Sequence, residues 1–315
     1  MPDQLLDRFF KGDTRALARI ITRVENRSAD SLPLLQQLFS RTGKAQVLGV
    51  TGSPGSGKST LVDRLASTYR KKGNTLAVVA VDPSSPFTGG AILGDRIRMQ
   101  GPGTDPGVYI RSMATRGNLG GLATATADVV TVLDAAGKNP IIVETVGVGQ
   151  DEIDIVKLAD VSLVVLVPGM GDDVQALKAG IMEIGDIFVL NKCDRPGVEK
   201  MERAVQTVLS LAHRPDGWDP PIVKTVATEG RGIDELIETI AQCAAFFQSS
   251  TARLEKKREA ARQRLITLLE ERLVRIAVEQ VFPDGKLNKL AEEIANRQQD
   301  PYTIVDEVIR NLRFK

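Results

Sequence analysis

Short apolar runs alternate with helix-period stretches through the middle of the chain. Between residues 46 and 248 the runs are Gln46–Thr51, Leu76–Asp82, Val108–Arg111, Ile141–Glu144, Ser162–Val167, Ile187–Asn191 and Ile222–Val226. Runs that are apolar at nearly every position belong to strands covered on both faces, and helices between such strands are the crossovers of a parallel sheet. The pattern predicts an α/β fold, a mostly parallel sheet flanked by helices. In that architecture chemistry gathers at the C-terminal ends of the strands.

The two ends of the chain read differently. Residues 1–45 read as helical: Asp13 is placed to cap a helix whose Leu17, Ile20, Ile21 and Val24 fall at i, i+3, i+4 and i+7, with arginines outside the stripe. Such a segment would brace or cover the next domain. Pro33 and the turn Arg41-Thr42-Gly43-Lys44 lead into the first strand. Beyond about 250 a charged helical entry (Arg253, Glu255, Lys256, Lys257, Arg258, Glu259) is followed by Leu265, Leu268, Leu269, Leu273 and Ile276 at helical spacing. Phe282-Pro283-Asp284-Gly285 turns the chain, Ile294 marks a further helix, and Pro301 precedes a last one with Ile304, Val305, Val308 and Ile309. That apolar stripe needs burial, either against a second copy or back on the same chain. The expected division is 1–45, a helical extension; 46–248, the α/β domain; and 249–315, a helical arm.

Composition narrows the partners. The 315 residues carry 41 basic and 40 acidic side chains, a net charge of +1, and only 4% aromatics, so neither a global field nor a stacking platform favours nucleic acid. No apolar run reaches the ~18 residues of a membrane span. The basic N-terminal residues Arg8, Lys11, Arg15, Arg19 and Arg23 are interleaved with Asp3, Asp7, Asp13 and Glu25, which fits a solvated helix face rather than a transit peptide. Cys193 and Cys243 lie far apart and form no C-x-x-C, and His213 is the one histidine, at an expected helix end. Metal cages and histidine-based catalysis are poorly supplied, and reduced thiols in a cytoplasmic protein are expected.

Against this background one stretch stands out. Gly52-Ser53-Pro54-Gly55-Ser56-Gly57-Lys58-Ser59 follows the first apolar run, fits G-x-x-x-x-G-K-[ST] and opens a helical pattern of Leu61, Val62, Leu65 and Ala66. A loop that wraps a polyphosphate must turn successive N–H groups inward, which glycines permit, and must deliver them at a helix N-terminus. Lys58 would reach the β- and γ-phosphates, and the Ser59 hydroxyl would ligate Mg²⁺. Asp82, ending the second run before the loop Pro83–Gly90, and Asp95 further on are carboxylates that would hold Mg²⁺ directly or through water. The other reading of Asp82 is a turn former before Pro83.

Glu144-Thr145-Val146-Gly147 closes the fourth run, where GTPases place D-x-x-G and the glycine amide meets the γ-phosphate. Here the acid is glutamate, and a Mg²⁺-linked role follows without a fixed coordination shell. Val148 stands where many small GTPases carry a water-orienting glutamine, so hydrolysis is expected to be slow alone and accelerated by a partner, with Gln150 or Asp82 as candidates to orient the water. The segment Pro168–Lys178, with Asp172, Asp173 and Gln175, is either a third switch or an ordinary connection whose aspartate caps a helix. Asn191-Lys192-Cys193-Asp194 then matches N-K-x-D. An aspartate accepts from guanine N1–H and N2–H₂ together, which adenine cannot supply, while Asn191 and the Lys192 stem would fix the loop and flank the base. The Ala227 amide would complete the pocket.

Taken together, Gly52–Thr60, Val81–Met99 (VDPSSPFTGGAILGDRIRM), Glu144–Asp151 (ETVGVGQD) and Asn191–Asp194 resemble the GTPases that chaperone cobalamin-dependent acyl-CoA mutases. These are the MeaB and methylmalonic aciduria type A proteins, also labelled ArgK or lysine/arginine/ornithine transport kinases. The resemblance runs over nearly the whole chain and implies a SIMIBI-type P-loop fold with the C-terminal arm serving a homodimer. It implies GTP and GDP as ligands with Mg²⁺. Gly55, Ser56, Gly57, Lys58, Ser59, Thr60, Gly147, Asn191, Lys192, Asp194 and Ala227 would bind nucleotide. Ser59, Asp82, Asp95 and Glu144 would form the metal shell, and Lys58, Asp82, Glu144 and Lys178 the catalytic set. Asp172, Gln175 and Lys178 resemble the family's third switch, which favours the switch reading of their loop.

The partner so implied is an adenosylcobalamin-dependent mutase, with its adenosyltransferase beside it; methylmalonyl-CoA, isobutyryl-CoA and 2-hydroxyisobutyryl-CoA mutases all remain as clients. Two rivals stand beside this reading. One is a kinase linked to basic amino-acid transport. The other is a nickel metallochaperone GTPase, which would need Cys or His clusters that this sequence lacks.

Overall fold

All seven apolar runs form strands of one sheet: β1 (Val47–Gly52), β2 (Leu76–Asp82), β3 (Val108–Ala114), β4 (Ile141–Thr145), β5 (Val161–Leu166), β6 (Ile187–Leu190) and β7 (Ile222–Lys224). The computed structural model describes residues 2–82, 105–114, 121–145, 158–169, 184–211, 214, 216–249, 251–282 and 286–311. The strand order is β3-β2-β4-β1-β5-β6-β7, and every pairing is parallel. From β1 the chain first builds β2 and β3 on one side and later β5, β6 and β7 on the other. The sheet therefore reverses direction beside β1, and a crevice opens at the strand ends there.

Alternate residues of the same strands feed opposite faces. On one face Val47, Ala77, Val79, Val81, Ile141 and Val143 pack with the helix α5 (Gly121–Ala135) and with three N-terminal helices, α1 (Pro2–Phe10), α2 (Thr14–Glu25) and α3 (Ser31–Phe39). On the other, Leu48, Val50, Leu76, Val78, Ile142, Leu163 and Val165 meet α4 (Lys58–Lys71) and α7 (Ile233–Ser249). A smaller cluster joins Val164, Leu166, Phe188 and Leu190 to α6 (Val198–Leu211).

The N-terminal helices pack on one face of the sheet. Asp13 caps α2 by accepting from the amides of Arg15 (2.8 Å) and Ala16 (3.2 Å), and Leu17, Ile20, Ile21 and Val24 are buried in the sheet's core. The Arg8 guanidinium and these amides favour the Asp13 carboxylate and lower its pKa. Pro33, read from sequence as part of the exit from the helical segment, instead lies in the first turn of α3, where a missing N–H costs nothing. Strand β3 runs three residues past its apolar stretch because the ladder with β2 continues to Ala114 and Met113 is buried in the core, while Arg111 pairs with Glu25 of α2. Strand β7 is two residues shorter than its apolar run: the Thr225 amide still donates to the Leu190 carbonyl of β6, and Val226 turns to a bridge with Arg231.

At the base of β6, buried Asp186 accepts from the Ser162 amide and from Arg214, each at 2.9 Å, and Trp218 Nε1 donates to its carbonyl. This latch fixes the start of a strand only four residues long, and so the position of the loop at its other end.

The chain divides into two compact units, Met1–Glu255 and Lys256–Lys315. The second consists of the greater part of α8 (Thr251–Val281), with α9 (Lys286–Ala295) and α10 (Pro301–Asn311). Among the described residues of this unit none is buried, and Leu265, Val274 and Ile309 are 68%, 62% and 62% exposed. No helix among the described residues is long and apolar enough to cross a membrane.

Candidate nucleotide site

The site begins where β1 runs out. Gly52, at φ +147, passes so close to the backbone of β5 that a Cβ would collide with the Val165 carbonyl. Gly57 caps α4 at φ +89, in the left-handed region, and a Cβ there would lie 2.5 Å from Asn191 Nδ2. Between these glycines the chain curls, with the Ser56 amide bonded to the Ser53 carbonyl at 3.1 Å, and the first turn of α4 closes through Leu61 N–H to the Gly57 carbonyl at 2.9 Å. Lys58 is buried, and its Nζ donates back to the carbonyls of Gly52 (2.6 Å) and Ser53 (3.1 Å), which holds the ammonium over the loop.

Ser53 and Ser56 carry buried hydroxyls with no hydrogen-bond partner among the described residues. Buried polar groups are normally satisfied. Two orphaned hydroxyls and a buried ammonium in a glycine loop at a helix N-terminus are the donor set a polyphosphate satisfies. Thr60, one turn-position further on, is exposed.

Glu144, next to last in β4, is registered beside Val50 of β1 and Ala80 of β2. It is buried, and its Oε1 accepts from the Ser59 hydroxyl at 2.6 Å. The two residues that sequence reasoning assigned to a metal shell from motifs 85 positions apart thus meet directly. A hydroxyl and a carboxylate are hard oxygen donors, the set that suits Mg²⁺. The backbone of Asp82 ends β2 opposite Ala114. Its side chain lies outside the described residues, as do Asp95, Gly147, Val148, Gln150, Asp172, Gln175, Lys178 and His213. Among the described residues no group of three His, Cys, Asp or Glu side chains is placed to hold a metal.

On the other side of the P-loop, Asn191 leaves β6 and is buried. Its Nδ2 donates to the Ser56 carbonyl (2.9 Å), and its Oδ1 accepts from Thr225 Oγ1 (3.1 Å) and the Ala227 amide (3.2 Å). Lys192 Nζ donates to the Gly55 carbonyl at 2.7 Å. The expectation that Asn191 and Lys192 fix the loop therefore has a concrete form: both side chains grip the phosphate loop itself. The Ala227 amide, expected to face a base, bonds to Asn191 and thereby ties β7 to β6. Lys192 sits at φ +57, which turns the chain so that Asp194 is exposed at the loop's outer edge. Cys193 donates its thiol to the Leu190 carbonyl at 3.0 Å, and burial pushes its pKa up, so the sulfur stays protonated and supports the turn.

Two residues went unnoticed in the sequence. Thr225 supports Asn191 as above. Arg64, on α4, donates from Nε to the Ala227 carbonyl (3.0 Å) and from Nη2 to the Thr228 carbonyl (2.6 Å). Nothing in its surroundings along the chain marks Arg64, because its partners lie 163 and 164 residues away. Beside it, burial raises the pKa of Asp63, whose Oδ1 has no partner among the described residues.

Known proteins are similar to this chain. Residues 17–281 match the model of the family described as methylmalonyl-CoA mutase-associated GTPase MeaB. A Pyrococcus abyssi protein is 47% identical over 315 residues, covering 99% of this chain and 97% of its own. The GTPase ArgK of Escherichia coli is 36% identical over 260 residues, 80% of this chain and 78% of that one. A solved structure described as a LAO/AO transport system kinase is similar with a TM-score of 0.72 and 26% identity, covering 98% of this chain and 96% of that one.

Proposed function

The chain belongs to the methylmalonyl-CoA mutase-associated GTPases, and from that premise we propose that it spends GTP hydrolysis on gating adenosylcobalamin loading into a cobalamin-dependent acyl-CoA mutase and on protecting or reactivating that enzyme. The observation that carries the mutase half is the family match, which runs from α2 through the whole of α8 rather than over the P-loop domain alone. A mouse relative named as a methylmalonic aciduria type A homolog, 34% identical over 76% of this chain and 62% of its own, supports the same reading.

In the GTPase step the P-loop amides and the orphaned Ser53 and Ser56 hydroxyls bind the phosphates, and Lys58 turns from the Gly52 and Ser53 carbonyls toward developing charge on the γ-phosphoryl group. Ser59 and Glu144 would hold Mg²⁺, which when bound neutralises charge on the β- and γ-phosphate oxygens. Asp194 pairs with guanine N1–H and N2–H₂. Asp82, Asp95, Gly147 and Lys178 complete the set, and Asp172, Gln175 and Lys178 relay nucleotide state to the mutase. The test is GTP turnover and mutase lifetime measured together, with methylmalonyl-CoA, isobutyryl-CoA and 2-hydroxyisobutyryl-CoA mutases and adenosylcobalamin. The expected result is acceleration of turnover by one of the three and a longer life for that mutase. If all three leave turnover and lifetime unchanged, the chaperone reading is wrong.

The C-terminal helices support a homodimer. None of the described residues of this unit is buried, and an apolar stripe like this needs a partner. A second copy of the same stripe is self-complementary about a twofold axis. Light scattering should give twice the chain mass of 34.1 kDa, and a monomeric mass at micromolar concentration would remove the proposal.

A kinase serving basic amino-acid transport is the second reading, favoured by the likeness to the structure described as a LAO/AO transport system kinase. It requires a protein phosphoacceptor, and transfer of the γ-phosphoryl group to such a protein instead of to water would decide for it.

A further inference from the structure

The geometry points to Arg64 as a specificity-determining positioning residue, one that sets guanine preference without touching the base. This rests on the guanine-nucleotide reading of the site. Helix α4 begins at Lys58, so the helix that presents its N-terminus to the phosphates also carries Arg64 nearly two turns further on. From there the guanidinium forks onto two successive carbonyls, Ala227 at 3.0 Å and Thr228 at 2.6 Å, in the loop that follows β7. A planar, permanently charged donor fork suits a pair of carbonyls in a way a single ammonium does not.

These bonds close a ring. The Ala227 amide is held by Asn191 Oδ1, Asn191 Nδ2 is bonded to the Ser56 carbonyl, and Ser56 leads through Gly57 and Lys58 into α4 and back to Arg64. The loop carrying Ala227 and Thr228 is thus gripped on its amide side by the N-K-x-D asparagine and on its carbonyl side by the phosphate-binding helix. Its remaining restraints are local: turns from Glu229 N–H to the Val226 carbonyl and, at 3.3 Å, from Gly230 N–H to the Ala227 carbonyl, and a bridge between Val226 and Arg231. Without Arg64 the Thr228 carbonyl loses its guanidinium and the Ala227 carbonyl keeps only the long turn bond from Gly230, so the link from this loop to α4 is lost and the loop that backs the Asn191–Asp194 turn through Thr225 and Ala227 is held less firmly relative to the P-loop. The phosphate grip of Gly52–Ser59 keeps all of its own bonds. Base selection should therefore suffer while phosphate affinity does not.

The test compares full-length wild type, Arg64→Ala and Arg64→Lys for binding of GDP and ADP, measured by competition against a fluorescent GDP analogue, with thermal unfolding of each protein alongside. Wild type should prefer GDP, and absence of that preference would overturn the guanine reading and this inference with it. For Arg64→Ala the GDP affinity should fall about tenfold, as loss of charge-assisted bonds at the loop implies, with ADP affinity unchanged. Arg64→Lys, able to reach one carbonyl, should fall between. A GDP-to-ADP ratio equal to that of wild type in both variants would overturn the role of Arg64 while leaving the guanine reading intact. Parallel loss of GDP and ADP affinity would also overturn it, by showing damage to the phosphate loop. Should the alanine variant fail to fold, the ratio in Arg64→Lys decides: a fall supports the inference and no change rejects it.

Discussion

Replacing Lys58 with alanine is expected to cut GTP turnover by about 10²–10³-fold, the usual cost of losing one preorganised donor aimed at developing charge. The structure explains why this side chain is so exposed to selection by chemistry and so little by solvent. Lys58 is buried at 6% exposure, and its ammonium donates to two carbonyls of the loop it serves, Gly52 and Ser53. A buried ammonium carries a desolvation cost that anionic phosphate offsets. Phosphate release at saturating GTP is the measurement that matters, because a loss confined to KM would mean that Lys58 binds ground state and transition state alike. Arg, with its wider fork, should not rescue, since the two carbonyls accept from a single point donor. Turnover within threefold of wild type would remove Lys58 from the catalytic set.

Much of this architecture is legible in the chain because it is encoded locally. The strands announce themselves through continuous apolar runs, and α2 through a four-residue stripe behind a capping aspartate. The P-loop is local too: its glycines are demanded by backbone that a Cβ would obstruct, at Gly52 by β5 and at Gly57 by Asn191. What the sequence conceals is of a different kind. Strand β3 outruns its apolar stretch because its ladder with β2 continues to Ala114 and Met113 is buried in the core, and the charge at Arg111 is met by Glu25 from an element 86 residues earlier. The contact of Ser59 with Glu144 was implied by function but not by any local rule, and the grip of Asn191 on Ser56 even less so. Arg64 is the extreme case: an arginine on an otherwise ordinary amphipathic helix, whose importance exists only once β7 has been laid at the far edge of the sheet. Local periodicity predicts what a segment is, while long-range polar bonds determine what it is tied to.

The same distinction decides what Asp194→Asn should do. Asp194 is exposed at the outer edge of a turn whose inner residues are pinned: Asn191 by three hydrogen bonds, Lys192 by Gly55, and Cys193 by its amide to the Thr225 carbonyl. Changing Asp194 should therefore leave the turn standing and alter only what it offers a base. A carboxylate presents two acceptors to the N1–H and N2–H₂ of guanine; an amide presents one acceptor and one donor, and the donor opposes a guanine N–H. Losing a charge-assisted bond and leaving a donor opposed should weaken GTP by about 100-fold. A xanthine nucleotide, whose 2-oxo group accepts where guanine donates, should gain in the same variant. Competition of GTP, XTP and ATP against a fluorescent GDP analogue reads all three at once. An unchanged preference for GTP over ATP would mean that the base is selected elsewhere, and the assignment of Asn191–Asp194 would fail while the phosphate site stood. If GTP falls, XTP rises and ATP stays constant, the base site and the phosphate site are separable in chemistry although Asn191 joins them in structure.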